Sequence, residues 1–287
     1  MDIVTISRHD SNYPERVRRM HRPPGTLYYR GSDLAAIMER PRVAVVGSRL
    51  ISPYGRQVTR QLVRGLAGAG VVIISGLAIG VDAQAHEAAL SVGGTTVAVL
   101  PSPVTAVTPS VNRRLAAQIL EGQGGLLSAY PPGSSNHKGN FVARNELVAA
   151  LSNLVIITEA AQKSGSLHTA AFAHGIGIEV HAVPGNITSP MSVGTNNLIK
   201  SGQAGTITDY HDVLRLLNMQ QPSVTRRPTG DTPEQQRLLD LLNQAISNGD
   251  ELLQLSQLSV PVFNQTLTML EMSARIVPLG ANRWALA

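Results

Sequence analysis

From Pro41 to about residue 217, short apolar runs alternate with longer stretches of helical periodicity. Val43–Val46 stops at Gly47-Ser48-Arg49 and predicts a strand, with a helix following from about Tyr54 to Ala69. The pairing repeats: Val71–Ile74 with 81–91, 95–100 with 111–121, 126–128 with 141–151, 154–158 with 166–174, and 178–183 with 194–201. Strands that are apolar throughout are covered on both faces, and strand–helix alternation makes a mostly parallel α/β sheet. Ligands bind outside the carboxyl ends of such strands, at glycine-bearing turns that open helices. The turns after Val46 and Ile74 (Ser75-Gly76-Leu77-Ala78-Ile79-Gly80) therefore suit a phosphate-rich ligand.

The flanks have other patterns. Residues 1–40 carry turn signals at Tyr13-Pro14 and Pro23-Pro24-Gly25, a candidate strand at Leu27-Tyr28-Tyr29, and Arg16, Arg18, Arg19 and Arg22. They read as a basic segment packing as a lid on a main domain spanning 41–218. Residues 219–230 have linker composition. Beyond them Thr232 caps a helix with Pro233 at its first position and Leu238, Leu239, Leu241 and Leu242 on its apolar face. A short helix near 251–255, a third over 260–273, and two strands around Gly280-Ala281-Asn282 complete a winged-helix-like domain at 231–287.

Charge divides the chain at the same place. Residues 231–287 hold three arginines against six carboxylates, a net −3, so the total of +5 leaves +8 on residues 1–230. Nearly all the cations are arginine, whose planar fork suits phosphates and whose face stacks on bases. The chain has no cysteine, which excludes disulfides, thiolate metal sites and a cysteine nucleophile. No apolar run reaches the length of a membrane span, and the start lacks the order of a signal peptide, so a cytoplasmic protein without a membrane partner is expected. No metal or cofactor is expected.

Two further rim segments carry chemistry. The loop 129–145 brings Lys138, Asn140, Phe141, Arg144 and Asn145 to a helix start. Cations there would hold a nucleotide backbone, while the Phe141 ring either stacks on a base or anchors the helix behind it. Ser164-Gly165-Ser166 opens another helix and forms an anion-friendly corner, with Ser166 also a candidate cap. Glu159 and Asp82 lack an acid–base partner and are expected to cap helices or order loops.

In combination and order, VAVVGSR, SPYG, SGLAIGVDAQAH, LLSAYPPG, GNFVARN, SGSLHTA and GTNNLI resemble the DNA-processing protein A family (DprA, also Smf), over about residues 12–217. The resemblance implies an extended Rossmann-like domain that dimerises and binds single-stranded DNA in a basic pocket. It further implies loading of a RecA-type recombinase on incoming strands in natural transformation. By position the pocket takes Gly47, Ser48 and Arg49, then Lys138, Asn140, Phe141, Arg144 and Asn145, then Gly165 and Ser166. Gly76 joins them from the second turn, and Phe141 moves towards a DNA contact. Four positions depart from the family pattern: Ile79 and Glu146 replace usual arginines, Val142 a usual proline and Ala129 a usual glutamate. Fewer cations imply weaker or re-tuned binding.

Other classes fit less well. A nucleotide sensor or phosphoribohydrolase of the same superfamily would show a Pro-Gly-Gly-x-Gly-Thr turn where this chain has Lys163-Ser164-Gly165-Ser166. No G-x-G-x-x-G follows Val46 and there is no P-loop, which disfavours nicotinamide chemistry and ATP hydrolysis. A non-enzymatic strand binder is therefore expected, with a specialised relative on a mobile element or in phage defence as a variant of it. The predicted third helix of the tail has no Lys or Arg and one Glu, Glu271. A duplex reader needs cations there, so the tail reads as a protein-contact or regulatory module.

Overall fold

The computed structural model describes residues 2–219, 229–244, 246–280 and 282–286. The chain falls into two units, Met1–Gln221 and Pro222–Ala287. The first opens with β1 (Val4–Ser7), α1 (Glu15–Arg18), β2 (Thr26–Gly31) and α2 (Leu34–Glu39). Alternation then runs through β3 (Arg42–Val46), α3 (Pro53–Gly68), β4 (Val72–Ser75), α4 (Val81–Leu90), β5 (Thr96–Leu100), α5 (Arg113–Glu121) and β6 (Gly125–Ser128). It continues through α6 (Lys138–Ala150), β7 (Leu154–Ile157), α7 (Ser166–Gly175), β8 (Glu179–Ala182), α8 (Val193–Lys200), β9 (Gly205–Thr206) and α9 (Tyr210–Leu216).

The two-residue period of a strand builds both layers of this unit. In β3, Val43 and Val45 pack with Leu62, Val63 and Leu66 of α3 and with Ala85 and Ala89 of α4. Ala44 and Val46 point the other way, into a cluster with Leu147 and Val148 of α6 and Ala170 and Ala173 of α7. All four side chains are buried, which is why the sequence shows an unbroken apolar run there.

The nine strands run β1-β2-β6-β5-β4-β3-β7-β8-β9. From β6 to β9 all pairs are parallel, and β1–β2 and β2–β6 are antiparallel. The N-terminal segment is thus not a lid. It extends the sheet in its own plane, Tyr28 facing Ser128 and Tyr29 facing Leu127 across β2–β6. Its basic residues are partly absorbed by the fold: Arg16 donates to the Ser152 carbonyl, and Arg18 and Arg19 pair with Glu15.

The second unit contains α10 (Pro233–Asn243), α11 (Gly249–Ser256), α12 (Val260–Met272) and a hairpin of β10 (Ile276–Gly280) and β11 (Arg283–Leu286). Thr232 caps α10 by accepting from Gln235 N, with Pro233 in the first turn. Leu238, Leu242, Leu252, Phe263, Leu267, Leu270 and Ile276 form its core. Most of the expected linker, residues 220–228, lies outside the described residues. Among the described residues no helix is long and apolar enough to cross a membrane.

Candidate nucleic-acid interface

Strand order reverses at β3. From β3 the chain proceeds to β4, β5 and β6 on one side, then returns to β7 on the other. Helices leaving β3 and β7 go to opposite faces, so their turns diverge and leave a crevice at the carboxyl ends. A cavity of about 480 Å³ occupies that position, lined by Gly47, Ser48, Arg49, Lys163, Gly165 and Ser166 among others.

The first wall is the turn from β3 to α3. Ser48 N donates to the Glu159 carbonyl at 2.8 Å, and Ser48 Oγ closes a local turn with Leu50. Glu159 is 2% exposed, and its carboxylate accepts from Ser52 N at 2.8 Å and from the Ser52 hydroxyl. The carboxylate that looked like a loop organiser thus pins the start of α3 to the end of β7. Gly47 is required by close approach: a Cβ there would lie 2.6 Å from Val81 Cγ2 and 2.7 Å from the Glu159 carbonyl. These bonds leave Arg49 exposed at the mouth.

The second wall is the start of α7. Gly165 precedes the helix, and the hydroxyl of Ser166, its first residue, lies 2.8 Å from the Ser164 hydroxyl. Ser166 therefore does not cap the helix, which has no side-chain cap; the expectation of a Ser166 cap is corrected. The uncapped end of α7 adjoins the cavity through Ser164, Gly165, Ser166 and Thr169, with exposed Lys163 beside it. The first N–H groups of α7 are satisfied locally: Ser166 N donates to Ser164 Oγ at 3.4 Å, and Leu167 N and His168 N donate to the Ser164 and Gly165 carbonyls at 3.2 Å. The helix dipole and Lys163 are what attract an anion here. Lys163 was missed as a site residue, although a cation directly before Ser-Gly-Ser was a usable signal.

The third wall comes from α6, where the expected residues separate into two kinds. Arg144 lines the cavity, but it is 5% exposed and its guanidinium donates to the Val99 carbonyl at 3.0 Å and to the Gly76 carbonyl. Asn140 is 8% exposed and donates to the Pro101 carbonyl at 3.0 Å. Gly76 is buried beneath Arg144 and does not line the cavity. These three hold the β4, β5 and α6 ends together. Lys138 and Phe141 stand clear of the cavity wall on the first turn of α6. The Arg49 guanidinium lies 5.6 Å from the Phe141 ring centroid, a cation–π contact at the rim. Asn145 lines the cavity and its carbonyl oxygen accepts from Arg144 Nε at 3.1 Å.

Under the wall the electrostatics are those of buried charge. Asp82 lines the cavity from α4, and burial raises its pKa against the pull of Arg144. Burial likewise lowers the Arg144 pKa, with Asp82 acting the other way. The two groups compensate each other, so Arg144 brings little uncommitted charge to a ligand. Arg49 and Lys163 are the exposed cations of the cavity lining.

Comparison with known proteins gives the family of the chain. Residues 4–218 match the family model for DNA recombination-mediator protein A, and residues 222–282 match the DprA winged helix domain. DNA processing protein DprA of Streptococcus pneumoniae is 40% identical over 206 residues, covering 71% of each chain. Protein Smf of Synechocystis is 38% identical over 195 residues, which are 67% of this chain and 49% of that one. The chain thus spans about half the length of that relative. Among solved structures, S. pneumoniae DprA matches with a TM-score of 0.70 at 38% identity, covering 75% of this chain and 74% of the other. DNA processing protein A of Helicobacter pylori, described in its single-stranded DNA binding mode, matches with a TM-score of 0.67 at 35% identity, covering 76% and 96%. With its Rossmann-like sheet and C-terminal winged helix, the chain belongs to the DNA recombination-mediator protein A family.

Proposed function

We propose that this chain binds single-stranded DNA across the crevice between β3 and β7 and acts without catalysis, helping a RecA-type recombinase onto the strand. The observation that carries the reading is the meeting of the Gly47-Ser48-Arg49 turn and the uncapped start of α7 at one cavity, with Arg49 over Phe141 at its rim. Exposed cations beside a helix start suit phosphates, and the ring beside them suits a base. The H. pylori relative's single-stranded DNA binding mode supports the same ligand for this chain.

A homodimer in the cytoplasm is part of this proposal. The winged helix is read as a protein contact: α12 has no Lys or Arg, and Val260, Val262, Met269 and Met272 on it are exposed. Recombinase loading is tested by the rate at which a RecA-type recombinase assembles on single-stranded DNA with and without this protein. Acceleration that disappears when Arg49 and Lys163 are both replaced by Ala is the expected result. Acceleration that survives the double replacement contradicts the site, and none from the parent contradicts the loading role.

A further inference from the structure

Helix α3 carries charge for which the fold has no use. Its buried side turns Thr59, Leu62, Val63, Leu66 and Ala67 to the core. Its exposed side presents Arg56, Arg60 and Arg64 four residues apart, with Gln57 and Gln61 beside them, and the helix has no carboxylate. Like charges at that spacing repel, and Arg56, at the end of the first turn, opposes the helix dipole. A solvated helix face ordinarily mixes both signs.

Neighbouring helices supply no counter-charge. Among the described residues none of the three arginines has an ion pair. Arg56 donates to the neutral Gln84 of α4 at 3.4 Å, while Glu87 of α4 lines a groove beside α5. The Tyr210 ring of α9 lies over Gly65 of α3, but Asp212 of α9 is taken by Arg215. The stripe starts at the crevice. Ser52, which caps α3, is held by Glu159, and α4 is tied to the Ser48 carbonyl through Val81 N at 3.1 Å. Successive arginines then rise about 6 Å per step along the helix, comparable with the spacing of phosphates in an extended strand.

We propose, on the reading that the crevice takes single-stranded DNA, that the strand leaves it over the outer face of α3 and lays successive phosphates along Arg56, Arg60 and Arg64. The stripe has no aromatic ring among its arginines, so it holds backbone and reads no base. It adds affinity that grows with strand length and falls with salt. Continuity with the crevice favours a nucleotide strand as the occupant. An acidic surface of a second copy would meet the same charges but would owe nothing to the crevice.

The test is a titration of the full chain with oligothymidylates of about 5 and about 12 nucleotides, each at two salt concentrations. Replacing the three arginines together (Arg56→Gln, Arg60→Gln, Arg64→Gln) should leave the affinity for the short strand unchanged. The same variant should bind the long strand about tenfold more weakly, with a salt slope lower by about 2, at about 0.7 for each phosphate. Lysine at all three positions should restore the slope. The urea midpoint of the glutamine variant should equal or exceed the parent's, because repulsion along the helix is removed. A fall in midpoint would show that the arginines hold the fold and would overturn the proposal. A long-strand slope that the glutamines leave unchanged overturns the path over α3 and leaves the crevice in place, whereas a parent that binds neither strand overturns both. Loss of self-association in sedimentation, with long-strand affinity unchanged, would assign the stripe to a second copy and refute the proposal.

Discussion

Arg144 and Arg49 are the same residue type at one site and do different work. The guanidinium of Arg144 is buried and donates to two backbone carbonyls, whereas that of Arg49 is exposed and rests on an aromatic ring. Removing Arg144 strands the Gly76 and Val99 carbonyls and leaves Asp82 without its opposing charge. Arg144→Ala should therefore cost about 3–5 kcal/mol of stability, read from urea unfolding; a loss below about 1 kcal/mol would contradict the structural role. Arg49→Ala and Lys138→Ala should leave stability unchanged and weaken binding to an oligothymidylate, each flattening the salt slope by about 0.7. Phe141→Ala should cost about 1–3 kcal/mol of binding at an unchanged slope, because stacking releases few counterions. Sequence brought Arg144 and Asn140 to the right place without revealing that their donors are already taken. Motif spacing records which residues meet, and the partners that satisfy them are carbonyls at the carboxyl ends of β4 and β5, far away in the chain.

At the scale of elements, the alternation from β3 to α8 was legible because β3 to β7 are buried nearly throughout and each is followed by a helix. The elements that escaped notice are short. Strand β9 has two residues, α1 has four, and β1 has the burial pattern of an edge with two exposed positions. Helix α6 starts at Lys138, three residues before the first strong apolar position; Gly139 and Asn140 are poor helix formers, and Asn140 is held there by its bond to the Pro101 carbonyl. Helix α4 carries a pH dependence that no pattern announces. His86 is fully buried, its Nδ1 lies 2.7 Å from Thr96 Oγ1, and burial, then Arg144, pushes its pKa down to about 3. In the unfolded chain it titrates near 6.5, so below that pH the unfolded state takes up a proton that the folded state refuses. Its contribution to stability is complete above pH 6.5 and is lost towards pH 3, at up to about 1.4 kcal/mol per pH unit. Asp82 has the opposite sign: its raised pKa favours the fold below the usual carboxylate range and is lost as pH rises. Comparison with His86→Gln isolates the histidine. The fall in urea midpoint from pH 7 to pH 5 should be smaller in the variant, and equal falls would contradict the assignment.

On the scale of the whole molecule, charge and function divide between two units. The first, Met1–Gln221, carries +6 and every residue lining this cavity, while the second, Pro222–Ala287, sums to −1 and has its own core. Deleting residues 222–287 should change single-strand affinity by less than about 1 kcal/mol, whereas a collapse would place part of the DNA site in the winged helix. The central claim is that the crevice at β3 and β7 recognises a nucleotide strand. It is tested most directly by titrating the protein with single-stranded DNA, duplex DNA and mononucleotides at two salt concentrations. Tight single-strand binding, weaker duplex binding and a slope reduced by Arg49→Ala is the predicted result. Mononucleotide binding without strand binding, or strand binding indifferent to Arg49, would contradict it.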